Sequence, residues 1–235
     1  CSSDLKFKRI SGGTRCSSFF MTTHSTTMIE ASTIAFLKGI KKNNDRSWME
    51  ANKPAYLDAK ENFAAFVETL IRQLAAFDNR LAEVQAKDCI FRINRDIRFS
   101  KDKRPYKTNF AAFITPNGKK SMNQAGYYIH LEPGACFAAV GIYMPEPNLL
   151  AAIRQEIDYR FDDWKKLLKQ KSFAQHFEKG LDTELKLSRP PKGYDADNPA
   201  VEWLKLKSFT ASSPLADALF ADKQPARKIA AVFQS

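Results

Sequence analysis

A chain of 235 residues, 44% hydrophobic and 27% charged, is long enough to bury one sizeable core, and its composition excludes wholesale disorder. No apolar run approaches the roughly 18 residues that a membrane-spanning helix needs. The formal net charge of +11 favours phosphates, polyanions and other anionic partners as a class without naming one.

Residues 1–27 are rich in Ser and Thr and carry no apolar core of a signal peptide. They read as a non-native or disordered extension ahead of a start at Met21 or Met28, with a lipidated Cys1 as the other reading. Without them the charge is still +8, so the basic character belongs to residues 28–235. Ile34, Leu37 and Ile40 then fall at helical spacing, with Ser32 or Thr33 as candidate caps and Asn43-Asn44 as the stop. Asp45 is placed to cap a short helix carrying Trp48, a residue expected in the core rather than over a pocket. Pro54 suits the first turn of a long helix whose stripe is Tyr56, Phe63, Phe66, Leu70 and Leu74.

The middle of the chain changes to period two. Phe91, Ile93, Ile97 and Phe99 alternate with Arg92, Asn94, Asp96 and Arg98, which predicts a half-buried strand over 91–99. Further strands are expected at 110–115, 127–132 and 136–143, joined by the Pro116-Asn117-Gly118 and Pro133-Gly134 turns as an antiparallel meander. After Pro145 and Pro147 the helical period returns through 149–168, opened by Asp162 and Asp163 at a helix start, and again over 172–180. Arg189–Tyr194 reads as a rigid loop, 205–210 as a returning strand, and the chain from Pro214 as helical. This pattern predicts a single α+β domain over 28–235, its antiparallel meander sheet packed against N-terminal and C-terminal helices. The chain stops inside its last predicted helix, 226–233, which leaves open a domain cut short at its C-terminus.

Chemistry concentrates between Lys87 and Lys107, where eight basic residues face three acidic ones. In a strand, Arg92, Asn94, Asp96 and Arg98 share one face, while Arg95 falls on the apolar face, so that either a bulge near Asn94 re-aims it or a carboxylate such as Glu132 or a helix acid satisfies it. Tyr128, His130 and Glu132 share a face of the predicted third strand, which a meander sets beside the arginines. Two readings compete. In one, Arg92, Arg95 and Arg98 bind an anion, with Asp96 orienting them, Lys103 and Lys107 adding charge, and Tyr106 and Tyr128 offering hydroxyls or stacking surfaces. In the other, the arginines and Asp96 brace the sheet. An enzyme with His130 as acid or base, positioned by Asp96 or Glu132, is the alternative function. A nucleic-acid accessory module is the third, tested by whether Lys119, Lys120, Lys165, Lys166, Lys205 and Lys207 extend the cluster into one stripe. The Asn117–Lys120 turn reads as a solvated basic tip, with contact to a phosphate backbone as its other reading. No phosphate-binding loop, dinucleotide fingerprint or GxSxG elbow is present, and no cofactor or metal is expected. Cys89 and Cys136 lack metal or disulfide spacing and read as buried small hydrophobes in a reducing, cytoplasmic setting. Oligomeric state is not legible.

The run Arg92-Ile-Asn-Arg95-Asp96-Ile-Arg98-Phe99-Ser-Lys-Asp102-Lys103-Arg-Pro-Tyr106 carries a resemblance. Asn43-Asn44-Asp45-Arg46 with Trp48, Gly126-Tyr-Tyr-Ile-His130-Leu-Glu-Pro-Gly134, Met144–Pro147, Arg189–Tyr194 and Leu204–Phe209 add to it. From about Met28 onward the chain resembles a bacterial family known as domain of unknown function 2461. That resemblance implies a family and brings no reaction with it.

Overall fold

The computed structural model describes residues 28–120 and 123–235. The expectation for residues 1–27 therefore lies outside the described residues.

Three helices open the domain: α1 (Ala31–Lys42), α2 (Arg46–Ala51) and α3 (Lys53–Ala75). Asp45 caps α2 as expected, its carboxylate accepting from the Trp48 N–H at 2.8 Å. Trp48 packs against Phe36 and the small surface left by Gly39, a core role. The cap of α1 differs from expectation. Glu30 occupies it, and Thr33 turns inward to donate to Asn62 of α3 at 2.8 Å. A buried hydroxyl needs such a partner, and α3 supplies it. The predicted stripe of α3 holds: Phe63, Phe66, Leu70 and Leu74 are fully buried.

A short α4 (Ala86–Cys89) leads to four strands, β1 (Phe110–Ile114), β2 (Gly126–Leu131), β3 (Phe137–Ile142) and β4 (Phe209–Pro214), in the order β1-β2-β3-β4 and antiparallel throughout. Between β3 and β4 lie α5 (Pro147–Tyr159), α6 (Phe161–Leu168), α7 (Lys171–His176) and α8 (Val201–Leu204); α9 (Asp217–Phe220) and α10 (Pro225–Gln234) close the chain. The returning strand starts at Phe209 rather than Lys205. Gly141 carries a φ of +117° there, and a Cβ would sit 2.0 Å from the Phe209 carbonyl, so β3 and β4 can approach only at glycine.

Period two divides the sheet into two faces. Phe110, Ala112, Ile114, Tyr127, Ile129, Leu131, Ala138 and Val140 face α3 and α10, with Phe63 stacked on Phe110 and Phe233 edge-on to Tyr127. Burying each large side chain of this layer contributes about 1.5–3 kcal/mol. The opposite face carries Tyr128, His130 and Phe137. The architecture is the predicted single α+β domain.

The predicted strand over 91–99 is the main correction. Only Phe91 joins the sheet, its N–H donating to the Ala111 carbonyl at 2.9 Å. Residues 93–95 instead pair with 105–107, through Lys107 N–H to Ile93 O and Arg95 N–H to Pro105 O. Asp96 and Asp102 then accept from the backbone N–H groups two residues on, Arg98 and Arg104. These local bonds compete with a ladder and curl the chain into an arm.

Candidate functional site

Arg95 lies in the neck of the arm with a quarter of its side chain exposed, and its guanidinium donates to Asp102 at 2.6 Å. Asp102 also receives Arg104 at 2.7 Å. The partner of Arg95 is therefore Asp102, not Glu132 or a helix acid. The sequence places that acid seven residues away, close enough to meet it only once the chain turns back. Hydrogen bonds from Arg104 and Arg95 hold the Asp102 carboxyl far below the usual carboxylate range. Arg98 donates through two nitrogens to Asp96, at 3.0 and 2.7 Å, and three quarters of its side chain stays in solvent. This pair braces the arm rather than the sheet. The Lys103 ammonium reaches the Ile97 carbonyl at 3.1 Å. Alternation of exposure survives over 91–97 although the strand does not. It fails at Phe99, which is 95% exposed.

The second group sits on the outer face of β2. Tyr128, His130 and Glu132 project together, as period two requires. The Tyr128 hydroxyl lies 3.1 Å from His130 Nδ1, and His130 Nε2 lies 3.3 Å from Glu132 Oε2. A neutral imidazole with its proton on Nε2 satisfies both contacts: it donates to Glu132 and accepts from Tyr128. Asn109 approaches Nδ1 at 3.4 Å, and Phe137 stacks on the ring at 4.7 Å. Glu132 further accepts from Thr108 at 2.9 Å and from Lys41 of α1 at 3.1 Å. Burial pushes the Glu132 carboxyl up, yet the Lys41, His130 and Thr108 hydrogen bonds outweigh it and hold it below its ordinary value. Burial lowers the affinity of His130 for a proton, against the pull of Glu132. Burial also pushes the Tyr128 hydroxyl up to about 12. Asp96 is bonded to Arg98 rather than to this histidine, so Glu132 is the carboxylate that positions His130.

Between these groups lies the root of the arm. Phe91 meets Tyr128 with ring centroids 6.4 Å apart, and the Lys107 ammonium rests 5.1 Å above Phe91. Burial and the neighbouring Arg92 charge push the Lys107 ammonium below its ordinary value. Arg92 is exposed beside it. Among the described residues neither cation forms an ion pair. Tyr106 is fixed through its backbone, which exchanges two 3.0 Å hydrogen bonds with the Asn44 side chain, while its ring packs against the core. The structure thus brings together Phe91, Lys107, Tyr128, His130 and Glu132, with exposed Arg92 next to Phe91 in the chain. Arg95, Arg98, Asp96 and Lys103 go to the braced arm.

Three lysines escaped the sequence reading. Lys38, Lys41 and Lys42 line a cavity of about 410 Å³ with Pro133, Gly134 and Asp217. Their i, i+3, i+4 spacing was visible, but the proximity of β2 and Asp217 was not. Lys165 and Lys166 pair with Asp162 and Asp163 within α6, and Lys205, just past α8, pairs with Glu202, so they do not extend the arginine cluster as free charge. In the Asn117–Lys120 turn, Lys119 donates to the Lys87 carbonyl at 3.2 Å. Cys89 and Cys136 are free and buried, their thiols pushed up to about 11 and about 12 chiefly by burial. Among the described residues no group of three or more His, Cys, Asp or Glu is arranged to hold a metal, and no helix is long and apolar enough to cross a membrane.

The family model for a conserved hypothetical protein, DUF2461, matches residues 32–235. The chain belongs to that family. No curated protein and no solved structure matches it.

Proposed function

We propose that the protein binds a phosphate-bearing or otherwise anionic ligand at the root of the arm, with Arg92 and Lys107 as its cationic donors and Tyr128 as a wall. One observation carries this reading: Lys107 rests on the face of Phe91 with Arg92 next along the chain, and among the described residues neither cation forms an ion pair, while carboxylates hold Arg95, Arg98 and Arg104 elsewhere. An anion between Arg92 and Lys107 relieves their repulsion and accepts from both. Lys107 is preorganised by Phe91, whose face favours the cation. The reading departs from the sequence expectation in which Arg95 and Arg98 were donors; here they shape the arm. Free, buried Cys89 and Cys136 accord with a reducing, cytoplasmic location as part of this proposal.

Calorimetric titration with pyrophosphate tests it. Arg92→Gln and Lys107→Gln should each weaken binding about ten- to a hundredfold, because a hydrogen bond to a charged group is worth roughly 1.5–3 kcal/mol. Undiminished binding in both variants would remove the root as the site.

A second reading is an enzyme acting on that anion, supported by the continuous Tyr128–His130–Glu132 contact. Glu132 would fix the tautomer of His130, and His130 would take a proton delivered through Tyr128. Screening phosphate esters for turnover that His130→Gln abolishes while pyrophosphate binding persists would establish it. Turnover that His130→Gln leaves intact would remove it.

A further inference from the structure

Phe99 stands at the end of a loop that is braced rather than loose. Arg95 and Arg104 converge on Asp102, Arg98 holds Asp96, and Lys103 returns to the Ile97 carbonyl. The outcome of all this bonding is a phenyl ring 95% exposed to water. Loops that only connect elements do not need a fixed apolar tip, and the hydrophobic effect opposes one. The segment that carries the ring is also basic. Between Arg92 and Lys107 there are seven basic and two acidic residues. The Arg98 guanidinium lies 5.8 Å from the centroid of Phe99, leaving the other side of the ring for a partner.

We infer that the arm docks a single-stranded nucleic acid, with Phe99 stacking on one base and the surrounding cations meeting the adjacent phosphates. An aromatic platform beside Arg and Lys recognises a strand this way because every base offers a π-face and every linkage a negative charge. Single strands fit better than a duplex, whose bases are already stacked. A lipid surface fits less well. Among the described residues none of the other large exposed hydrophobic side chains, Leu57, Tyr143, Met144, Tyr159, Leu167 and Leu185, belongs to the arm, so Phe99 heads no apolar patch of the arm. The inference borrows from the anion reading only the phosphate contact at Arg92 and Lys107; the stack on Phe99 stands apart from it.

Fluorescence anisotropy of the full chain with labelled oligothymidylate and oligouridylate tests the inference, the two probes separating DNA from RNA. A strand of the same length and charge but lacking bases should bind more weakly. Phe99→Ala should weaken binding to the intact strand roughly five- to a hundredfold, from the cost of losing one stacked base, with an unchanged melting temperature. Phe99→Trp should retain it. Absence of strand binding, equal affinity for the baseless strand, or undiminished affinity in Phe99→Ala would overturn the inference. So would loss of phosphatidylserine-vesicle binding in Phe99→Ala with strand binding intact, which would assign the ring to membranes. Pyrophosphate titration of the same variant separates the two proposals: Phe99→Ala should leave it intact, whereas failure of the root site appears as pyrophosphate binding indifferent to both Arg92→Gln and Lys107→Gln.

Discussion

The arm and the outer face of β2 both hold ionisable side chains in hydrogen-bonded chains, yet they differ in how much water reaches them. On the arm the pairs are local, two to seven residues apart in sequence, and Arg98 and Arg104 remain more than half exposed. On β2 the His130 and Glu132 side chains are only 14% and 19% exposed, and their partners arrive from α1 and from the residues leading into β1. Exposed pairs are screened and contribute little; enclosed ones have desolvation against them and depend on complete bonding. The charge that dominates the sequence thus shapes a loop, whereas three quieter residues on β2 hold the energetic leverage.

Glu132→Ala should give the largest effect. It removes the acceptor shared by Lys41, His130 and Thr108 and should cost about 2–4 kcal/mol in urea denaturation. A loss as small as that of an arm variant would break the contrast. Next comes pH. Because folding lowers the proton affinity of His130, its contribution is complete above the ordinary value of 6.5 and is lost as pH falls through the folded value. Glu132, also lowered, adds a loss below 4.5. Stability should therefore fall from pH 7.5 to 5.5, and His130→Gln should flatten that slope. A wild-type slope of opposite sign would overturn the assignment.

Arg95→Gln should loosen the arm more than the fold. Chymotrypsin should cut after Phe99 several-fold faster, with only a small change in melting temperature; unchanged cleavage would mean that Asp102 does not need Arg95 to hold the turn. The smallest effect belongs to Arg98→Gln, whose thermal midpoint should match that of the parent. A clear drop there would show that the exposed Arg98–Asp96 pair carries tertiary load after all.

The contrast also explains which expectations failed. The helices and the strands at 110–115, 127–132 and 136–143 were legible because their apolar period repeats over several residues, and burial enforces it. The strand expected at 91–99 had an equally good period. Its aspartates, however, take up the backbone N–H groups of Arg98 and Arg104, and Pro105 has none to give, so local bonding overrode the pattern. Tyr128, His130 and Glu132 on one face followed from period two alone. Their contact with Lys41 did not, because nothing in α1 announces that its last turn lies against the end of β2.

The sequence by itself determined the α+β class, the core stripe of α3, the single-faced trio of β2 and the basic character of residues 87–107. These depend on short-range periodicity and composition, which tertiary contacts reinforce. Only the tertiary structure decided which charges cancel. Arg95, Arg98 and Arg104 found aspartates as soon as the chain turned, whereas among the described residues Arg92 and Lys107 were left without an ion pair at the root of the arm and Phe99 was left in water. Pairing of charges depends on distances of a few ångströms between residues far apart or folded back, and that is fixed by packing rather than by order along the chain.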